Sequence, residues 1–94
     1  MTEDRGTRLR RLAMRSMRRG IREMDLILQD FSSRELALLR PDELDRYEAL
    51  LEESDHDLYR WISGAEDAPE PLRPLILRLS EGAEGLTRPG RGAP

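Results

Sequence analysis

Apolar residues recur in this chain at steps of three and four from Leu9 to Leu79, and nowhere do they alternate over the length of a strand. That spacing lines side chains along one face of an α-helix and would divide them between both faces of a strand. It restricts the fold to the all-α class. Gly20, Pro41, Gly64, Pro71 and Pro74 then cut the pattern where a helix must end or begin. Five short helices joined by brief connections follow, which makes a small five-helix bundle in a single domain.

The spacing predicts a first helix over about Thr7 to Arg18, with Leu9, Leu12, Ala13 and Met17 as its buried stripe. Arg8, Arg11, Arg15, Arg18 and Arg22 would line the opposite face if the helix continued unbroken. A second helix is expected from Ile21 to Asp30, burying Met24, Ile27, Leu28 and Phe31. Ser32-Ser33-Arg34-Glu35 has the form of a capping box and would restart helix through Leu39. Pro41 suits the first turn of a third helix whose Asp42 and Glu43 favour the positive end of its dipole. Ser54 or Asp55 can cap a fourth helix ending at Gly64, and a fifth should run from Pro71 to Glu84.

Ninety-four residues with 16 leucines and four aromatics allow one modest aliphatic core. Residues 1–6 and 85–94 lack apolar periodicity and are expected to be disordered tails, leaving 7–84 as the helical domain. The absence of cysteine excludes disulfides, thiolate catalysis and cysteine-based metal sites, and His56 alone cannot make a histidine cluster. The seven glycines form neither GxGxxG nor a P-loop, so no dinucleotide cradle is expected, and no metal or cofactor of the chain's own. Carboxylate pairs such as Glu52-Glu53 and Glu66-Asp67 are ordinary on solvated helix faces of so acidic a chain. The chain reads as a non-enzyme. No apolar run reaches the roughly 20 residues of a membrane span. Residues 5–22 are basic and free of acids, like a mitochondrial targeting segment, but they run on into the helical pattern. Cytoplasmic residence in a bacterium is the expectation.

The net charge of −3 conceals a polarity. Residues 1–22 carry eight arginines against Glu3 and Asp4, a net of +6, whereas residues 23–85 carry six arginines against seventeen acids, a net of −11. Within the basic end, Arg18-Arg19-Gly20-Ile21-Arg22-Glu23-Met24-Asp25 sets arginines around a glycine with two carboxylates following. Clustered guanidinium groups repel one another unless something anionic answers them. Gly20 and Glu23 by themselves are satisfied by a helix junction, but the arginines are not. A second run, Ser54-Asp55-His56-Asp57-Leu58-Tyr59-Arg60-Trp61, reads first as an acidic helix start that sends Leu58 and Trp61 toward the core.

Together these runs resemble the SdhE family of succinate dehydrogenase assembly factors, or flavinators. The resemblance lies in Arg19-Gly20-Ile21-Arg22-Glu23 as RGxxE, with an acid at Asp25, and in Asp55, Asp57, Leu58 and Trp61 of the later run. It covers roughly Arg8 to Leu79, with His56 where family members often have proline. The resemblance implies a chaperone-like helper that binds the flavoprotein subunit of succinate dehydrogenase, and in some organisms that of fumarate reductase. Such a helper promotes covalent attachment of FAD to a client histidine while the client holds the flavin. On that footing Gly20 admits a close approach, Arg19 and Glu23 project toward the client, and Arg15, Arg18, Ile21, Arg22 and Asp25 complete the contact. Leu58 and Trp61 brace the patch from within.

A different class fits residues 5–22 alone: a small regulatory or antitoxin-like protein laying an arginine-rich helix on nucleic-acid phosphates. The acidic total charge and the lack of aromatics among those arginines argue against it, so no nucleic-acid partner is expected.

Overall fold

The computed structural model of the chain describes residues 3–83, and the expected tail at 85–94 lies outside them. Five α-helices make up the described fold: α1 (Arg5–Arg15), α2 (Arg22–Glu35), α3 (Pro41–Leu51), α4 (Asp55–Ile62) and α5 (Arg73–Ala83). Single 3₁₀ turns at Leu36–Leu38 and Glu70–Leu72 lead into α3 and α5. The chain is all-α, as its periodicity requires.

The core joins one stripe from each helix. Leu12 of α1 meets Met24, Ile27, Leu28 and Phe31 of α2, Leu44, Tyr47, Leu50 and Leu51 of α3, Leu58 and Ile62 of α4, and Leu75, Ile76 and Leu79 of α5. α2 packs against α1, α4 and α5, and so forms the axis of the bundle. The Phe31 and Tyr47 rings stack with centroids 5.5 Å apart, and the Arg78 guanidinium lies 5.6 Å above the Phe31 ring.

Three boundaries differ from the sequence reading. α1 begins at Arg5, because Asp4 caps it by accepting from the Thr7 amide at 2.7 Å, while Glu3 pairs with Arg11 at 2.8 Å. Residues 3–6 are therefore part of the folded unit, whereas residues 1 and 2 lie outside the described chain. α1 also stops at Arg15. The buried Ser16 turns its hydroxyl back to the Leu12 carbonyl at 2.8 Å and shares a 2.6 Å hydrogen bond with the Tyr47 hydroxyl. Burial pushes the Tyr47 phenol up to about 12. Met17, past this stop, leaves the expected buried stripe and is 45% exposed.

The capping-box pattern at Ser32 does not restart a helix. α2 runs unbroken to Glu35, since its apolar stripe continues to Phe31, Ser33 bonds back to the Asp30 carbonyl, and Arg34 pairs with Asp30 at 2.6 Å. The starts of α3 and α4 follow their caps: Glu43 accepts from the Arg40 amide at 2.8 Å, and Ser54 from the Asp57 amide at 3.1 Å. Gly64, at φ 84°, ends α4 in the left-handed conformation that suits glycine.

Candidate functional site: the 18–23 loop and its latch

The segment between α1 and α2, residues 16–21, carries the first three residues of the RGxxE run, Arg22 and Glu23 open α2, and a single carboxylate shapes the junction. Asp55, the first residue of α4, accepts from the Gly20 amide at 2.7 Å and the Ile21 amide at 3.3 Å through Oδ2. Its Oδ1 accepts from Arg19 Nε at 2.7 Å. The other two guanidinium nitrogens of Arg19 donate to the Leu51 and Glu53 carbonyls, at 3.1 and 3.0 Å, where α3 ends. A guanidinium spreads its donors over three nitrogens in one rigid plane and so serves acceptors set apart from one another, whereas an ammonium must reach all of its acceptors from a single nitrogen. The Arg19 and Asp55 side chains are only 14% and 13% exposed. The pair thus locks the loop to the α3–α4 corner, and it stands at the N-terminal end of α4, where a carboxylate is favoured.

Arg19 accordingly does not project outward as the sequence suggested. It is turned into the fold. Asp25 also works inward: it accepts from the Arg19 amide at 3.3 Å, and a hydrogen bond from Gln29, aided by the loop amides, holds its carboxyl below the usual carboxylate range. The left-handed residue of the loop is Arg18, at φ 58°, rather than Gly20. A Cβ at Gly20 would meet only Asp55 Oδ2 at 3.4 Å, an ordinary contact, so the fold leaves room for a methyl group there. What remains on the outside is the exposed Gly20 backbone with the exposed side chains of Arg18, Arg22 and Glu23. Ile21, half-buried, packs against the core and is the N-cap of α2.

The remaining arginines of the basic face are answered within the chain. Arg8 pairs with Asp45 at 2.7 Å and Glu48 at 3.2 Å, Arg11 with Glu48 at 2.8 Å, and Arg15 with Glu52 at 2.5 Å. α1 and α3 are therefore zipped by charge along their lengths, and hydrogen bonding from Arg11 lowers the Glu48 carboxyl. The expected line of five arginines breaks after Arg15, and Arg15 belongs to the zipper rather than to an open flank. This neutralisation also removes much of the basic face that a nucleic-acid reading needs.

Leu58 is fully buried in the core behind this corner. Trp61 is half-buried against the core and lines a groove with Ile62, Gly64, Ala68, Arg73, Ile76 and Leu77, to which no residue of the 18–23 loop contributes. His56 is exposed on the first turn of α4. Sequence reasoning gave Asp55 to helix capping and missed its role as organiser of the loop. The available sign was its place at the head of the second run.

No helix among the described residues is long and apolar enough to cross a membrane, and no group of three or more potential metal ligands occurs among them. Comparison with known proteins agrees with the two runs. A family model described as flavinator of succinate dehydrogenase matches residues 10–83. Succinate dehydrogenase assembly factor 2, mitochondrial, of Meyerozyma guilliermondii is 44% identical over 72 residues, covering 76% of this chain and 53% of that protein. The protein of that name from Candida glabrata is 42% identical over 64 residues, 67% of this chain and 42% of its own length. The one from Schizosaccharomyces pombe is 40% identical over 68 residues, 72% and 49%. The chain spans between about a quarter and a half of the length of the curated relatives it matches. With a family match that takes in both the latched RGxxE loop and the helix that latches it, this chain belongs to the family of succinate dehydrogenase flavinators.

Proposed function

We propose that the chain binds the flavoprotein subunit of succinate dehydrogenase, docking through the 18–23 loop, and promotes covalent attachment of FAD to a client histidine. The observation that carries this reading is the division of labour in the loop. Arg19 and Asp55 are turned inward to fix its shape and hold the Gly20 amide, while the Gly20 Cα stands exposed beside the Arg22 and Glu23 side chains, which have no partner among the described residues. A bare glycine on a rigid, exposed turn lets another backbone come close. An unpaired arginine and glutamate beside it can form charge-assisted hydrogen bonds with that visitor.

In this mechanism the chain supplies position. The client keeps the flavin and its reacting histidine, and docking holds the client's domains where the two meet, so that attachment proceeds within the client. Neither a covalent intermediate nor a cofactor on this chain is required. The flavoprotein subunit of fumarate reductase is a second client of the same chemistry.

The test is client flavinylation in cells that lack their own factor and carry this chain as wild type, Gly20→Arg or Glu23→Ala. Folding of each variant is checked separately by thermal melting. Covalent flavin on the client should fall strongly in both variants while their melting stays unchanged. Normal flavin levels with both would remove the loop from the function.

A further inference from the structure

The chain contains no lysine, so arginine carries all its side-chain cation charge, and the fold pairs most of it. Arg34, Arg40, Arg46, Arg60, Arg73 and Arg78 each have a carboxylate partner, as do Arg8, Arg11, Arg15 and Arg19. Arg5 donates to the Ala37 and Leu39 carbonyls. Among the described residues, those with neither an ion pair nor a backbone carbonyl to donate to are Arg10, Arg18 and Arg22, on the stretch from α1 to the start of α2.

That stretch also exposes apolar surface. Met14 and Met17 are 73% and 45% exposed. Met17 stands between two shallow grooves, one shared with Met14 and Arg18, the other with Ala13 of α1 and Gln29, Ser32 and Ser33 of α2. Arg10 lies one turn before Met14 on α1, and Arg22 and the part-exposed Leu26 precede Gln29 and Ser33 at helical spacing on one face of α2. The result is an apolar trough between two helices, flanked by arginines that form no ion pair.

We propose that this α1–α2 trough receives an acid-bearing amphipathic helix of the client polypeptide. Its apolar side chains would rest on Met14 and Met17, and its carboxylates on Arg10, Arg18 and Arg22. This deepens the docking reading above and rests on it. Methionine adapts its shape to a visiting apolar face, and a helix lying in a groove is an established mode of peptide recognition. Charge complementarity selects the acid-bearing partner. A second copy of this chain offers no such stripe among the described residues. Its carboxylates without an arginine or backbone partner among the described residues are Glu23 on α2, Glu81 on α5, and Glu53 and Asp67 in two different connections.

Because the chain has no cysteine, Met17→Cys creates a single attachment point for a maleimide-benzophenone photocrosslinker. Irradiation with purified client flavoprotein subunit should join Met17→Cys to a client helix carrying at least two carboxylates within about two turns. Met14→Glu and Arg18→Glu should each weaken client binding about tenfold, with unchanged melting. Adducts mainly with a second copy of the chain would overturn the proposal. So would unchanged client affinity in both variants, or co-sedimentation with phosphatidylserine vesicles that Met14→Glu abolishes while client affinity stays intact. Binding lost in Gly20→Arg but kept in Met14→Glu and Arg18→Glu refutes the trough and leaves the loop reading standing. Binding kept in Gly20→Arg and Glu23→Ala as well refutes that reading itself.

Discussion

Arg19 Nε lies 2.7 Å from Asp55 Oδ1, across 36 residues of sequence, and this contact makes one structural unit of the chain's two most distinctive runs. The RGxxE segment supplies the arginine and two backbone amides, and the Asp-x-Asp-Leu-x-x-Trp segment supplies the carboxylate that receives all three. Neither run holds its shape alone.

Removing one side of this pair should be costly. Asp55→Ala strands the Arg19 charge in a mostly buried site and leaves the Gly20 and Ile21 amides without their acceptor. A loss of about 2–4 kcal/mol is expected. Arg19→Lys should recover little of an Arg19→Ala defect, since an ammonium cannot reach Asp55, Leu51 and Glu53 together. Urea unfolding of the single and double variants gives the coupling directly. An Asp55→Ala chain as stable as wild type would dissolve the latch.

Gly20 and Glu23 should behave oppositely. Gly20→Ala meets only a carboxylate oxygen at ordinary contact distance, and Glu23 is exposed without a partner, so Gly20→Ala and Glu23→Ala should each stay within about 0.5 kcal/mol of wild type. Thermal melting checks this. A large loss in either would make the outer residues structural and undercut their place in docking.

Arg18 occupies a left-handed conformation that costs a side-chain-bearing residue about 1 kcal/mol. Arg18→Gly should therefore leave stability unchanged or raise it by up to about 1 kcal/mol, while weakening client binding through loss of an unpaired cation. Stability and affinity moving apart in one variant separates a binding residue from a folding residue. A parallel fall in both would assign Arg18 to the fold.

The α1–α3 zipper predicts an acid limit. Hydrogen bonding from Arg11 holds the Glu48 carboxyl below its ordinary 4.5 in the folded chain. The unfolded chain takes up that proton first as pH falls, so the contribution is complete above about 4.5 and lost as pH drops through the folded value. Glu48→Gln should melt lower than wild type at neutral pH, and the gap should narrow in acid. A gap independent of pH would mean the pair contributes nothing through charge. Tyr47 sets the opposite limit. Its phenol is raised from 10 to about 12, so stability falls as pH climbs through that interval, and Tyr47→Phe should flatten the fall.

The legible parts of this fold were those that local chemistry decides. Pro41 with its fixed φ, Ser54 as a cap and Gly64 as a terminator each marked a boundary correctly, and the stripe of Met24, Ile27, Leu28 and Phe31 is the buried face of α2. The Ser32-Ser33 pattern misled because a capping box forms only where a helix begins, and here α2 is already under way, with Ser33 bonded back to the Asp30 carbonyl and Arg34 paired with Asp30. Arg19 misled for a tertiary reason. Its acceptors, the end carbonyls of α3 and the first residue of α4, come together only in the assembled bundle, so spacing alone could not show which way its guanidinium faces. Gly20 drew attention as the break between the first two helices, but the conformation that favours glycine falls two residues earlier, at Arg18.

The most direct measurement is calorimetric titration of the purified chain into purified flavoprotein subunit of succinate dehydrogenase, wild type against Gly20→Arg, with both chains shown to melt alike. The expected result is saturable one-to-one binding by the wild type and at least a tenfold loss with Gly20→Arg, because an arginine side chain fills the space the client backbone needs. Equal affinity of the two chains would contradict the assignment of the latched 18–23 loop as the docking face.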